Sequence, residues 1–320
     1  MSSLISVTNL TRHYGDFCAV NNISFELAVG DILGFLGPNG AGKTSTMQML
    51  SGNLAPTLGE ISINGVDLLD QPKAAKASLG YLPENPPLYK DMTVSEYLTF
   101  CAHLHAVKKQ QITSVCDSAI ERCGLGDVGK RLIQNLSKGY QQRVGIAQAI
   151  LHSPPVIILD EPTVGLDPIQ ILEIRQLIKT LGENHGIILC THILPEVQAV
   201  CNRVQIINAG ELVYRADIAD MLNRQSTRYE ITLSPDITLP TLTTHTVFTS
   251  IEKVNENRYI IDSDLNADKL IEYIVSQQWG LSTFNQHHTS LEQIFIELTL
   301  ADTRVNDEHS LATNAETNKT

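Results

Sequence analysis

The chain has 320 residues, of which 42% are hydrophobic, and a formal net charge of −12. That length suits one large domain plus a smaller one, and that hydrophobic share is enough to bury a core. The acidic balance opposes sequence-independent binding to nucleic-acid phosphates, so no nucleic-acid partner is expected, and it gives no support to a basic patch for anionic lipid.

The N-terminus, Met1-Ser-Ser-Leu-Ile-Ser6, has no basic region and no long apolar run, so no signal peptide is read. No stretch of about 18 apolar residues occurs, so direct membrane insertion is not expected. Asp31-Ile-Leu-Gly-Phe-Leu36 is a short apolar run that stops at a glycine-rich turn, and Lys43 to Leu50 reads as a helix with Gly52 just past its end. From about Asn85 to Ala149 the chain reads as mostly helical, with Thr93-Val-Ser-Glu96 as a capping box and Gly124 and Gly126 as punctuation. Val156-Ile-Ile-Leu159 and Ile187-Ile-Leu-Cys190 are unbroken apolar runs, as expected for strands of a parallel sheet covered on both faces. Between them, Ile169 to Leu181 carries Leu172, Leu177, Ile178 and Leu181 at helical spacing, completing a strand–helix–strand unit.

After about Arg215 the pattern changes. Arg228 to Leu233 and Arg258 to Asp262 read as strands, and Asp268 to Gln278 and Thr289 to Leu300 as helices. Thr241 to Thr244 reads as a polar turn or exposed strand. The expected division is 1–216 for an α/β domain with a helical subdomain inserted over about 85–150, 217–300 for a small α+β domain, and 301–320 for a polar, disordered tail. Cys18, Cys101, Cys116, Cys123, Cys190 and Cys201 show no C-x-x-C spacing and read as reduced thiols of a cytosolic protein.

Gly37-Pro38-Asn39-Gly40-Ala41-Gly42-Lys43-Thr44 matches G-x-x-x-x-G-K-[ST] between a strand and a helix. The glycines let backbone N–H groups turn in around phosphate oxygens, and the helix N-terminus adds partial positive charge. Lys43 would reach the β- and γ-phosphates, Thr44 would offer its hydroxyl to Mg²⁺, and Ser45 follows within reach of the nucleotide. Asp160-Glu161 closes an apolar strand. Asp160 suits a Mg²⁺ contact and Glu161 suits activation of an attacking water. Taken alone, the pair reads more readily as a helix cap with a solvated neighbour.

Leu136-Ser137-Lys138-Gly139-Tyr140-Gln141-Gln142-Arg143 resembles the signature motif of the ABC ATPases, usually L-S-G-G-Q. Lys138 stands where a glycine is usual and Tyr140 where Gln is usual. The resemblance implies that Ser137 and Gly139 of one subunit close on the γ-phosphate held by another, while Ser137 also caps the helix behind it. His192 resembles the switch histidine that contacts the γ-phosphate, Gly165-Leu-Asp167-Pro168 the D-loop, and Tyr14 the aromatic that stacks on adenine. At the position of the family's Q-loop glutamine, Tyr81-Leu-Pro-Glu84 places a carboxylate, still an oxygen donor for the metal.

Leu-Pro-Glu84, the signature and the C-terminal Ser290-Leu-Glu-Gln-Ile-Phe-Ile-Glu-Leu-Thr299 are together similar to the ATP-binding subunits of type-2 ABC exporters, a branch with gliding-motility, copper-processing and sodium-export members. This implies an ABC-type P-loop NTPase fold, with a parallel-sheet core, an antiparallel β part and an inserted helical subdomain. It implies ATP and Mg²⁺ as ligands and a head-to-tail homodimer. It also implies a separate multi-pass permease that holds the chain at the cytoplasmic face of the cell membrane. The competing class is a soluble ABC ATPase acting on DNA or ribosomes. The single phosphate cradle, the lack of sustained heptads and the acidic charge disfavour it. A kinase or GTPase would leave the signature unexplained.

Overall fold

A computed structural model describes residues 3–223, 228–237, 239–286, 291–296 and 298. Contacts divide the chain into two units, Met1–Ile218 and Ala219–Leu300. The expected tail, 301–320, lies outside the described residues.

The first unit holds two sheets. One is antiparallel, ordered β2-β1-β4-β5, from β1 (Ile5–Tyr14), β2 (Phe17–Leu27), β4 (Leu58–Ile63) and β5 (Val66–Asp67). The other runs β10-β9-β3-β8-β7-β6, from β3 (Ile32–Leu36), β6 (Leu79–Leu82), β7 (Val156–Asp160), β8 (Gly186–Thr191), β9 (Arg203–Asn208) and β10 (Glu211–Asp217). Its pairs are parallel except for the antiparallel edge strand β10. Every residue of β3, β7 and β8 is buried, which is why these segments read as unbroken apolar runs. Phe25, Phe35, Met47, Ile61, Ile158 and Ile188 belong to the one core cluster that joins both sheets to α1 (Lys43–Leu50).

A short α2 (Pro72–Lys76) precedes β6. The helical subdomain follows as α3 (Val94–Leu104), α4 (Ile112–Arg122) and α5 (Lys138–Ile150). The capping box at the start of α3 is formed in both directions: Thr93 accepts from the Glu96 amide at 3.3 Å, and Glu96 accepts from the Thr93 amide at 2.8 Å. Between β7 and β8, α6 (Pro168–Gly182) is capped by Asp167. Its buried stripe is Ile174, Ile178 and Leu181, whereas Leu172 is 62% exposed. Of the expected face, Ile178 and Leu181 are buried and Leu177 is half-buried, but Ile174 takes the place expected of Leu172, because packing on the sheet selects one edge of a broad apolar stripe. After β8 comes α7 (Leu194–Val200).

From Ile218 onward, α8 (Ile218–Asn223) leads into a four-stranded antiparallel sheet ordered β12-β13-β11-β14, from β11 (Arg228–Thr232), β12 (Ser250–Lys253), β13 (Arg258–Asp262) and β14 (Thr283–Gln286). α10 (Ala267–Ser276) buries Leu270 and Ile274 in a core with Tyr229, Tyr259 and Trp279. Thr241 to Thr244 departs from its expected reading. Most of it lies in α9 (Leu239–Thr243), where Leu242 is fully buried, so one apolar side chain outweighs the threonines' preference for extended backbone. Of the expected final helix, residues 291–296 are helical. No helix among the described residues is long and apolar enough to cross a membrane.

Candidate functional site

The glycine-rich loop joins β3 to α1, and two of its glycines are there because backbone presses on them. A Cβ on Gly37 would lie 2.4 Å from the Ile207 carbonyl oxygen of β9, and one on Gly42 would lie 2.4 Å from that of Ala19 in β2. Gly42, the residue before α1, also sits at φ +104°, a conformation that side chains avoid. The loop thereby brings the first turn of α1 against the ends of β2 and β9. Lys43 is buried, and its ammonium donates to the carbonyls of Gly37 at 2.8 Å and Pro38 at 3.1 Å.

A cleft of about 370 Å³ opens over this loop. It brings together Tyr14, Asn39, Gly40, Gly42, Lys43, Thr44, Ser45, Glu84, Glu161 and His192. Gly37, Pro38, Ala41 and Asp160 are not part of its lining. Tyr14 is half exposed at the rim, with its hydroxyl 3.4 Å from Ser45 Oγ and the Arg12 guanidinium 4.7 Å from its ring centroid. Phe17, across the β1–β2 turn and 64% exposed, lines the same cleft. Its place there was not read from the sequence, where one aromatic beyond a turn carries no signal.

At the inner end, β7 delivers Asp160 and Glu161. Asp160 is 2% exposed. Burial raises its carboxyl above the usual range, a hydrogen bond with Cys190 and the Lys43 charge oppose that, and Glu161 and Glu84 add to it. Glu161 stands at φ +49°, a left-handed conformation rare for a side chain of its size and one that turns the chain abruptly off the strand. Its amide donates to the Cys190 carbonyl of β8 at 2.8 Å. One carboxylate oxygen meets His192 Nδ1 at 2.8 Å, and the other accepts from Thr191 Oγ1 at 3.2 Å. Thr191, together with Glu196 and Thr163 beyond it, was also missed. An acid one residue after Pro195 reads from sequence only as a helix first-turn charge.

Ser137, Gly139 and Asp167 lie outside this cleft. Ser137 is exposed and caps α5, accepting from the Tyr140 amide at 3.4 Å. Asp167 caps α6 through the Ile169 and Gln170 amides, both at 3.0 Å. Signature and D-loop are packed on each other: a Cβ on Gly139 would meet the Gln170 side chain at 2.4 Å, and one on Gly165 would meet Lys138 Nζ at 2.3 Å. An ion pair between Arg143 and Glu173 also ties α5 to α6.

The segment 20–164 matches the family model described as ABC transporter. An uncharacterised ABC transporter ATP-binding protein of Bacillus subtilis, YxlF, is 32% identical over 298 residues, covering 92% of this chain and 99% of that one. The chain belongs to the ABC transporter ATP-binding proteins. This ABC ATPase is also 39% identical over 231 residues to the bacitracin transport ATP-binding protein BcrA of Bacillus licheniformis, covering 72% of this chain and 74% of that one. A solved ATP-binding subunit of an ABC transporter superposes with a TM-score of 0.63 at 30% identity, over 68% of this chain and 92% of that one. ATP is therefore its ligand and ATP hydrolysis the family's activity.

The donor set suits Mg²⁺. Thr44, Asp160 and Glu84 offer hard oxygen atoms, and Mg²⁺ is ordinarily held by one or two carboxylates together with substrate phosphates. Among the described residues no cluster of three or more His, Cys, Asp or Glu is arranged to hold an ion by itself.

Proposed function

We propose that this ABC ATPase is the motor subunit of a membrane exporter, working as a head-to-tail homodimer beneath a separate multi-pass permease at the cytoplasmic face of the cell membrane. The observation that carries the catalytic part is Glu161, a carboxylate anchored on both oxygens at the inner end of the phosphate cleft.

In this reading the loop from Gly37 to Ser45 holds the phosphates through backbone amides, Lys43 binds the β- and γ-phosphates, and Tyr14 gives adenine a π-face. Thr44, Asp160 and Glu84 would hold Mg²⁺, which when bound would neutralise phosphate charge. Glu161 takes a proton from water as its oxygen bonds to the γ-phosphorus and the bond to ADP breaks. His192 and Lys43 stabilise charge on the transferring phosphoryl group. Ser137, Gly139 and Asp167 lie away from their own subunit's cleft, which favours their acting on the partner's nucleotide. The γ-phosphate then gives the closed dimer contacts that the open one lacks, so binding drives closure and hydrolysis releases it. A permease docked near Glu84 and the helical subdomain would turn that cycle into substrate movement. Transport, as opposed to a soluble role, rests on the resemblance to exporter subunits and on relatives such as BcrA.

Glu161→Gln tests the catalytic assignment. The amide keeps the size and loses the base, so nucleotide affinity is expected to stay within about twofold while kcat falls by about 10²–10⁴, with ATP-bound dimer accumulating on size exclusion. Normal turnover by this variant removes Glu161 from its role. Purification of tagged chain from solubilised membranes tests transport: a stoichiometric multi-pass protein supports it, and a chain free of any membrane partner opposes it.

A further inference from the structure

Behind Glu161 lies a second carboxyl group that the reaction as drawn does not use. Glu196, in the first turn of α7, is 1% exposed. Its Oε1 accepts from the Thr163 hydroxyl, and its Oε2 lies 3.2 Å from Thr191 Oγ1. The same Thr191 oxygen lies 3.2 Å from Glu161 Oε2 and accepts the Ile193 amide at 3.1 Å. Thr191 and Thr163 are themselves buried.

Counting hydrogens decides how this chain is wired. A hydroxyl has one hydrogen and two lone pairs. The Ile193 amide takes one lone pair of Thr191 Oγ1, which leaves one hydrogen and one lone pair for two carboxyl groups. If both were ionised, two anionic oxygens would compete for a single hydrogen, and one would face a lone pair among buried side chains. A proton on Glu196 Oε2 removes the conflict: Glu196 donates to Thr191, and Thr191 donates to Glu161. Every valence of the hydroxyl is then filled. The reverse placement, with the proton on Glu161, would leave that residue unable to accept one from water.

We propose that Glu196 is a positioning residue, a neutral carboxylic acid that fixes the direction of the Thr191 hydroxyl and so holds the Glu161 carboxylate oriented. The electrostatics agree. Burial drives the Glu196 carboxyl above the usual carboxylate range, its hydrogen bonds with Thr163 and Thr191 and the Arg175 charge oppose this, and the Glu161 charge reinforces it. With His192 on one oxygen and Thr191 on the other, Glu161 cannot swing within its plane.

This inference rests on Glu161 being the base, and the test separates the two. In the full-length chain, Glu196→Gln keeps an N–H for Thr191 and a carbonyl for Thr163, so kcat is expected to stay within about twofold of the unaltered protein. Glu196→Leu and Thr191→Val each break the relay, and kcat is expected to fall about tenfold to a hundredfold with KM for ATP unchanged. An infrared difference spectrum, unaltered protein minus Glu196→Gln at neutral pH, should contain a protonated-carboxyl C=O band. The proposal is overturned if Glu196→Gln loses as much kcat as Glu196→Leu, or if the difference spectrum contains carboxylate bands in place of that one. It is equally overturned if Thr191→Val turns over normally while Glu161→Gln is inactive. Activity retained in Glu161→Gln overturns the base assignment on which it stands.

Discussion

His152→Phe should make the protein less sensitive to acid. The His152 ring stacks on His105 with centroids 4.0 Å apart and planes 10° from parallel. Neither ring nitrogen of His152 has a partner at hydrogen-bonding distance, although the Leu79 backbone lies near enough to oppose the shift. Burial first, and the neighbouring His105 second, depress its pKa from the ordinary 6.5 to about 4. Between those values the unfolded chain binds a proton that the folded one refuses. Stability from this site is therefore fully present above about pH 6.5 and declines as pH falls toward 4. At 1.36 kcal/mol for each tenfold change in proton affinity, the limit is about 3 kcal/mol, and the ring's partial exposure reduces this to roughly 1–2 kcal/mol. For a unit of this size that is about 2–8 °C in Tm. The assay is calorimetry of the full-length protein and of His152→Phe at pH 7.5 and pH 5. A phenyl ring keeps the stack and has nothing to protonate, so its Tm should fall less between the two conditions by that amount. Equal losses in both proteins would refute the reasoning. A raised carboxyl such as Glu196 works in the opposite sense, losing its stabilisation as pH rises, and is common to both proteins, so it cancels in the comparison.

Gly37→Ala places a methyl group 2.4 Å from a backbone carbonyl that cannot turn aside, so the loop must move. ATP affinity by equilibrium dialysis is expected to fall at least about tenfold, the effect of a misplacement costing about 1.4 kcal/mol. Thr93→Ala removes the cap of α3 and should cost about 1 kcal/mol, read in a denaturant titration as a lower midpoint with unchanged slope.

Legibility in the sequence followed the range of the interactions. The loop from Gly37 to Thr44 could be read because its chemistry is local: glycines, a lysine and a hydroxyl at fixed spacing leave few other meanings. β3, β7 and β8 could be read because burial on both faces removes alternation. On α6, Ile178 and Leu181 could be read as buried but the choice of Ile174 over Leu172 could not, since both fit an apolar pattern and only the sheet underneath selects. Thr163, Thr191 and Glu196 come from three segments and become one chain of hydrogen bonds only after β7 and β8 pair. The His105–His152 stack likewise joins residues from α3's end and the segment before β7, which share no motif.

The placement of Lys43 bears on how cheaply the phosphates are captured. A lysine free in water samples many rotamers, and stilling it costs up to about 2 kcal/mol of side-chain entropy. Here the Gly37 and Pro38 carbonyls already hold the ammonium, so that freedom is given up once, during folding. In the proposed reading, an arriving nucleotide would only exchange one set of oxygen partners for another around a cation whose location is fixed. In the proposed homodimer, more of the binding free energy would then be left to bring the two subunits together.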